Sequence, residues 1–254
     1  MIDIHSHILP GIDDGAKTIE DSLDMARVAA REGIRSIIAT PHHQNGQWNN
    51  ERDRILLKVE EVNQAIVKEG IDVKILPGQE VRLYGELLGD LAQGTLQTLN
   101  SSSYLFIEFP SSSVPRYAKQ MLFDLQLQGI TPVIVHPERN AELIERPSKL
   151  YDFVNNGALT QVTAASVAGA FGKKIQKFSF DLVKANLTHF VASDAHNTTT
   201  RGFKMSEAFD LIEKKFGPDA VYFFKENAEL LVDGQNVMKN IPEKIEKKKF
   251  LGLF

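Results

Sequence analysis

The chain has 254 residues, 43% hydrophobic and 24% charged, with a formal net charge of −4, the size and balance of a folded globular protein. It contains no cysteine, which excludes disulfides, zinc–thiolate sites and every cysteine-nucleophile mechanism. The acidic balance offers no basic face for nucleic acid, and neither a signal peptide nor an apolar run of membrane-spanning length occurs, so the expected location is cytoplasmic, without membrane insertion.

Short apolar, β-branched runs alternate with helix-period segments along the chain. The first run is Ile2–Ile4. A helix follows from about Ile19 to Glu32, with Thr18 as N-cap, Asp21 closing a capping-box pair and Gly33 as stop. Then come Ser36–Ala39, a helix from about Asn50 to Glu69, Val73–Leu76, Tyr104–Ile107, and a helix near Pro115–Gln128. The pattern continues with Thr131–Val135, a helix over Pro147–Asn156, Leu159–Val162, a helix over Lys173–Ala185, His189–Ala192 and a helix over Phe203–Lys215. Strands alternating with helices predict a parallel α/β architecture. The seven strand candidates suggest a closed barrel of about seven units, with an open doubly wound sheet as the alternative. No repeat or low-complexity linker marks a second domain, so residues 1–254 read as a single domain. Its Lys-rich segment from about Ile241 to Phe254 reads as a peripheral helix or tail.

The chemically capable residues gather just after the expected strands. His5 and His7 follow the first, His42 and His43 the second, Glu80 the third. Glu108 ends the fourth, His136 the fifth, and Asp194 and His196 follow the seventh. The C-terminal ends of barrel strands are where β/α barrels build active sites. His5-Ser6-His7 places two imidazoles on one side of an extended strand, so both can bind one ion, and Asp194-Ala195-His196 repeats the spacing with mixed ligands. Imidazole with carboxylate suits Mn²⁺, Fe²⁺ or Zn²⁺. Asp14, Glu80, Glu108 and Asp194 supply four negative charges, which three divalent cations would exceed, favouring hydroxide and an anionic substrate such as a phosphate ester. Arg139 and Arg201 follow proposed ligands and suit bidentate phosphate binding. Ser111-Ser112-Ser113 could line a substrate groove, and Trp48 reads equally as a rim residue or a loop anchor.

Asp3-Ile4-His5-Ser6-His7 with Ile8-Leu9-Pro10-Gly11-Ile12-Asp13-Asp14-Gly15, Ala39-Thr40-Pro41-His42-His43, Pro77-Gly78-Gln79-Glu80, Ile107-Glu108, His136-Pro137-Glu138-Arg139 and Ser193-Asp194-Ala195-His196 together resemble the PHP (polymerase and histidinol phosphatase) superfamily. The resemblance spans essentially the whole chain. It is closest to the capsule-type, CpsB/YwqE-like branch, the manganese-dependent bacterial protein-tyrosine phosphatases found with exopolysaccharide operons. It implies a distorted (β/α)₇ TIM-like barrel of the PHP type, as one metallophosphoesterase domain holding three metal ions. His5, His7, Glu80 and Asp194 would hold one ion. Glu80 would bridge to a second, completed by Glu108 and His136, and Asp14, His42 and His196 would hold the third. Mn²⁺ is the implied ion, with Fe²⁺, Zn²⁺, Co²⁺ and Mg²⁺ as alternatives. Arg139 and Arg201 would grip the phosphoryl oxygens while a metal-bound hydroxide attacks phosphorus directly. His43 is a candidate for protonating the leaving phenolate. The implied partner is an autophosphorylating bacterial tyrosine kinase with a Tyr-rich tail that controls capsule or exopolysaccharide export. Oligomeric state stays open. The competing readings are a phosphodiesterase, a histidinol-phosphate or nucleotide phosphatase, and a non-catalytic binding module. A deep closed pocket would favour a small molecule, and an open cleft a phosphotyrosine peptide.

Overall fold

The first helix forms where the sequence caps it. The Thr18 hydroxyl accepts a hydrogen bond from the Asp21 backbone N–H while the Asp21 carboxylate accepts one from the Thr18 backbone N–H, satisfying donors that a helix start leaves orphaned. In the computed structural model, which describes residues 1–246, this helix, α1 (Ile19–Arg31), follows β1 (Ile2–Ser6). The chain continues through β2 (Ser36–Ala39), β3 (His42–His43), α2 (Arg52–Lys68), β4 (Lys74–Pro77), β5 (Glu80–Arg82) and α3 (Leu87–Gln93). Next come β6 (Tyr104–Glu108), α4 (Ala118–Leu127), β7 (Thr131–Val135), α5 (Ala141–Glu145), α6 (Pro147–Asn155) and β8 (Leu159–Thr163). The last elements are α7 (Ala164–Val167), α8 (Lys173–Lys184), β9 (Phe190–Ala192), α9 (Met205–Phe216) and α10 (Pro218–Val232).

All strand pairs are parallel. One sheet has the order β1-β2-β4 and the other β3-β5-β6-β7-β8-β9. The expected second and third strands therefore each continue past a break, as β2 then β3 and β4 then β5. His7 N–H donates to Ala195 O at 2.8 Å and Asp194 N–H to His5 O at 2.8 Å, which joins the first strand to the segment after the last. Helix α10 was not expected from the sequence, and neither were the short helices α3, α5 and α7.

Two apolar layers follow from strand alternation. Ile4, Ile38, Leu76, Phe106, Val133, Leu159 and Phe190 come from successive strands and pack into one inner cluster, which Ala228 and Leu231 of α10 and Val237 join. Their alternates, such as Ile37, Ile75, Leu105, Ile134 and Val191, belong to the larger cluster that includes the helices. Each such side chain taken out of water contributes about 1.5–3 kcal/mol before entropy is counted. Tyr104 at the start of β6 donates from its hydroxyl to Gln235 O at 2.8 Å, and Asn227 of α10 donates to His189 O at 3.1 Å, so α10 and the following segment cover the N-terminal strand ends. The opposite ends are left to polar residues.

Residues 241–246 have no regular secondary structure. They lie along the surface, with Glu243 N–H donating to Ala185 O at 2.8 Å. The remainder of the Lys-rich segment, 247–254, lies outside the described residues. Among the described residues no helix is long and apolar enough to cross a membrane.

Candidate metal centre

β1 is not a simple extended strand. Asp3 pairs with Ile37 and Ser6 with Ala39, so Ile4 and His5 share the space opposite Ile38 in a β-bulge. The bulge lets Ile4 join the inner cluster while the His5 ring also points inward, 4.9 Å from Phe106. Register then brings His42 beside Glu80 across β3 and β5. Inward alternation along β6, β8 and β9 changes from apolar to polar at the C-terminal ends, reaching Glu108, Gln161 and Asp194. His136 and Asp194 both adopt left-handed backbone, with φ of 36° and 53°. Such conformations cost a non-glycine residue of order 1–3 kcal/mol and cluster at functional sites.

These elements bring nine proposed ligands to one rim. His5, His7, Glu80 and Asp194 form one group, His7, Asp14, His42 and His196 a second, and His42, Glu80 and Glu108 a third. Two donors about 2.1 Å from one ion stand roughly 3.0–3.4 Å apart. In the first group, Glu80 Oε2 lies 3.4 Å from His5 Nε2 and 3.2 Å from His7 Nε2, and Asp194 Oδ1 lies 3.5 and 3.3 Å from the same nitrogens. Asp14 Oδ1 lies 3.3 Å from His196 Nε2 and 3.5 Å from His42 Nε2, while His42 Nδ1 faces Glu80 Oε2 at 3.0 Å. His42 therefore presents one nitrogen to each of two groups. His136 joins none of the three groups, but its Nε2 is 2.7 Å from Glu80 Oε1, on the same carboxylate.

The far nitrogens are committed. His5 Nδ1 meets Gln161 Oε1 at 2.8 Å, His7 Nδ1 meets Asp13 Oδ2 at 2.7 Å, and His196 Nδ1 meets Asp194 O at 2.8 Å. These acceptors place the imidazole proton on Nδ1 and leave the Nε2 lone pair facing the rim. His5 Nε2, His7 Nε2, His196 Nε2, His42 Nδ1 and Glu80 Oε2 are buried and make no hydrogen bond. One such orphan costs about 1–3 kcal/mol, so a convergent set calls for a cation. The donor set fits divalent ions of the Mn²⁺, Fe²⁺ and Zn²⁺ type.

Charge agrees with this. Burial pushes the Glu80 carboxyl up, but the imidazoles of His42 and His5 outweigh it and hold it well below the usual range. Burial likewise opposes ionisation of Asp194, and Arg139 and His5 overcome it. Burial and the Glu80 charge push Glu108 up to about 7. Burial and neighbouring Arg139 lower His136 to about 4, which keeps its ring neutral.

Arg139 donates to Asp194 Oδ2 at 2.6 Å and Arg201 to Asp14 Oδ2 at 3.1 Å. Both line a cleft of about 230 Å³ with His42, Glu108, His136 and Ser111. His43, one residue along from His42, turns away. Its Nδ1 meets Asn50 O at 3.0 Å and its ring packs edge-on against Tyr84, so the structure does not bring it to the cleft. Trp48 is half-buried and is held through its backbone N–H by Asn45, away from the cleft lining. Sequence reasoning did not assign Asp13, Gln161 or Arg82. Asp13 stands in a visible Asp-Asp-Gly run, while Arg82, bidentate to Glu108 at 2.9 and 3.0 Å, gave no signal.

Residues 1–233 match the family described as capsular polysaccharide synthesis, CpsB/CapC. Tyrosine-protein phosphatase YwqE of Bacillus subtilis (strain 168) is 52% identical over 254 residues, covering 100% of both chains. A putative tyrosine-protein phosphatase CapC of Staphylococcus aureus is 36% identical over 256 residues, again covering 100% of both. A chain from the crystal structures of YwqE and of CpsB from Streptococcus pneumoniae, described as unique metal-dependent tyrosine phosphatases, superposes with a TM-score of 0.95 at 52% identity, covering 97% of this chain and 100% of that one. A phosphotriesterase homology protein from Escherichia coli shares the fold alone, with a TM-score of 0.57 at 10% identity, covering 90% of this chain and 97% of that one.

Proposed function

Because the chain belongs to the CpsB/CapC family of capsular polysaccharide synthesis, we propose that it is a metal-dependent protein-tyrosine phosphatase acting in capsule or exopolysaccharide synthesis. The observation that carries the reading is the convergence of five buried, unpartnered donor atoms from His5, His7, His42, Glu80 and His196 beside two arginines. The fold is a distorted (β/α)₇ barrel forming one domain, and the rim would hold three ions, with Mn²⁺ the expected metal. His5, His7, Glu80 and Asp194 would hold one. Glu108 and His136, with Glu80, would hold a second, and Asp14, His42 and His196 would hold the third. The cytoplasmic substrate is a phosphotyrosine protein, with a bacterial tyrosine kinase bearing a Tyr-rich tail as the expected partner.

Bound divalent ions supply Lewis acidity and a hydroxide at neutral pH. The chain's own residues do the rest. Arg139 and Arg201 each carry several N–H donors, so each can hold a carboxylate of the rim and a phosphoryl oxygen together. Their charge opposes the negative charge spread over the equatorial oxygens as the bond to tyrosine breaks. The departing phenolate, with an ordinary pKa of about 10, needs little help from an acid. Asp13 and Gln161 hold His7 and His5 in one tautomer. The rim opens to solvent, with the Asp14 and Arg201 side chains 43% and 36% exposed, which favours a phosphotyrosine on a polypeptide over an enclosed metabolite.

The test is phosphate release by protein stripped with chelator and reloaded with Mn²⁺, on phosphotyrosine and phosphoserine peptides and on bis-p-nitrophenyl phosphate. Metal-restored activity on phosphotyrosine alone is expected. Hydrolysis of the diester alone would replace the monoesterase reading with a phosphodiesterase.

A further inference from the structure

The cleft adjoins two surfaces of unlike charge. Beyond Arg201, which lines the cleft and donates to Asp14, lies a depression of about 450 Å³ whose lining carries Asp14, Asp21 and Asp24 against Lys17 alone. At its Ser111–Asn140 end lies a groove of about 1070 Å³ between α4 and α5–α6, lined by Arg116, Lys119, Arg146 and Lys149 with two carboxylates, Glu142 and Asp152.

The segment 110–114 runs from the cleft to this groove, with Ser111 lining the first and Ser113 and Val114 the second. Asn140, which lines the cleft, donates to Pro110 O at 2.8 Å and to Ser113 O at 3.1 Å, pinning the segment. Phe109 of the cleft packs against Phe153 of the groove with ring centroids 5.8 Å apart. Glu142 is already committed, accepting from the Val114 N–H at 2.7 Å and pairing with Lys149. Arg146 also acts on the Glu142 charge, and the lining as a whole keeps four cationic side chains against the two carboxylates Glu142 and Asp152. Phe123, 54% exposed, adds an apolar surface to the same groove.

We propose that this groove docks an acidic stretch of the same polypeptide that carries the phosphotyrosine. The proposal rests on the phosphotyrosine-protein reading above and names the sequence chemistry of that substrate. A chain leaving the cleft over Ser111 and Ser113 enters a cationic groove, whereas the other end would set its carboxylates against Asp14, Asp21 and Asp24. Exposed charge pairing of this kind speeds association and lowers KM, leaves kcat unchanged and weakens as salt rises.

The test uses the Mn²⁺-loaded full chain and two labelled peptides, each bearing phosphonomethyl-phenylalanine in place of phosphotyrosine. One is flanked by Asp and Glu, the other by Ser and Gly. Fluorescence anisotropy should show the acidic peptide binding about tenfold more tightly at low salt. The double variant Arg116→Glu with Arg146→Glu should lose that preference. Its hydrolysis of p-nitrophenyl phosphate, which has no flanking residues, should stay at the native rate and so report an intact fold. Equal affinity for the two peptides, or an equal loss for both in the variant, would overturn the proposal. Failure of the underlying reading shows separately, as no phosphate release from either hydrolysable phosphotyrosine peptide by the native protein, and it overturns the docking proposal with it.

Discussion

Asp13 is wholly committed to orientation. One carboxylate oxygen meets His7 Nδ1 at 2.7 Å and lies 3.3 Å from the His42 N–H, while the other accepts from the Gly15 N–H at 2.9 Å. It thus fixes the His7 tautomer and ties together the segments bearing His7, Asp14 and His42. Loss of such a carboxylate behind a ligating imidazole ordinarily costs 10–100-fold in metal affinity or activity. Asp13→Asn keeps the size and the Gly15 contact but removes the charge. It should raise the Mn²⁺ concentration needed for half-maximal activation by roughly tenfold or more, with activity recovered at high Mn²⁺. An unchanged activation midpoint would mean that His7 is oriented without the Asp13 charge. Most of the proposed ligands were legible because they stand at or just after expected strands, whereas Asp14 lies in the loop beyond β1 and its place in the set came with the family resemblance. Asp13 and Gln161 were not legible, because an orienting role depends on what the far ring nitrogen meets in three dimensions.

At the scale of elements, the turn from β1 into α1 depends on Gly15. Its φ is ordinary, so the requirement is space: a Cβ there would overlap the His7 carbonyl oxygen and come within 2.5 Å of His7 Cβ. The Ala16 N–H donates to that same carbonyl at 3.0 Å, which locks the loop carrying Asp13 and Asp14 beneath His7. Overpacking of this kind costs about 1–3 kcal/mol. Gly15→Ala should lower Tm in chelator by several degrees, on the order of 2–4 °C per kcal/mol at this chain length. The Tm gain on adding Mn²⁺ should shrink as well, since Asp14 moves with the loop. An unaltered Tm in chelator would show that the turn has slack. The capping box that follows was readable, because Thr18 and Asp21 stand three apart and act locally. The bulge in β1 was not, since it exists only against β2. Helix α10 escaped notice for a related reason. It buries Phe224, Ala228 and Leu231 while Val221 and Phe223 pack partly, so apolar residues occupy more than one face and blur the 3.6-residue stripe.

Across the whole molecule, one end of the strands carries the charged rim and the other is covered by α10, and His189 sits in that covered end. It is 2% exposed, its Nδ1 accepts from the Thr160 N–H at 3.2 Å, and its carbonyl accepts from Asn227 of α10. Burial, with Lys239 adding to it, pulls the imidazole from 6.5 down to about 3. The unfolded chain therefore takes up a proton below about pH 6.5 that the folded chain refuses until about pH 3. Stability from this residue is full above the upper value and falls as pH falls through the window. Asp3, raised to about 6 by burial, acts in the opposite sense, favouring the fold at low pH, so the native profile alone does not isolate His189. His189→Gln, which keeps an acceptor for Thr160, removes the titration and leaves Asp3 in place. Urea unfolding in chelator should show the native chain losing about 2–3 kcal/mol more than the variant between pH 7.5 and 4.5. Parallel pH profiles for the two proteins would mean that His189 takes up its proton within the fold, and that α10 leaves the lower end of the strands open to water.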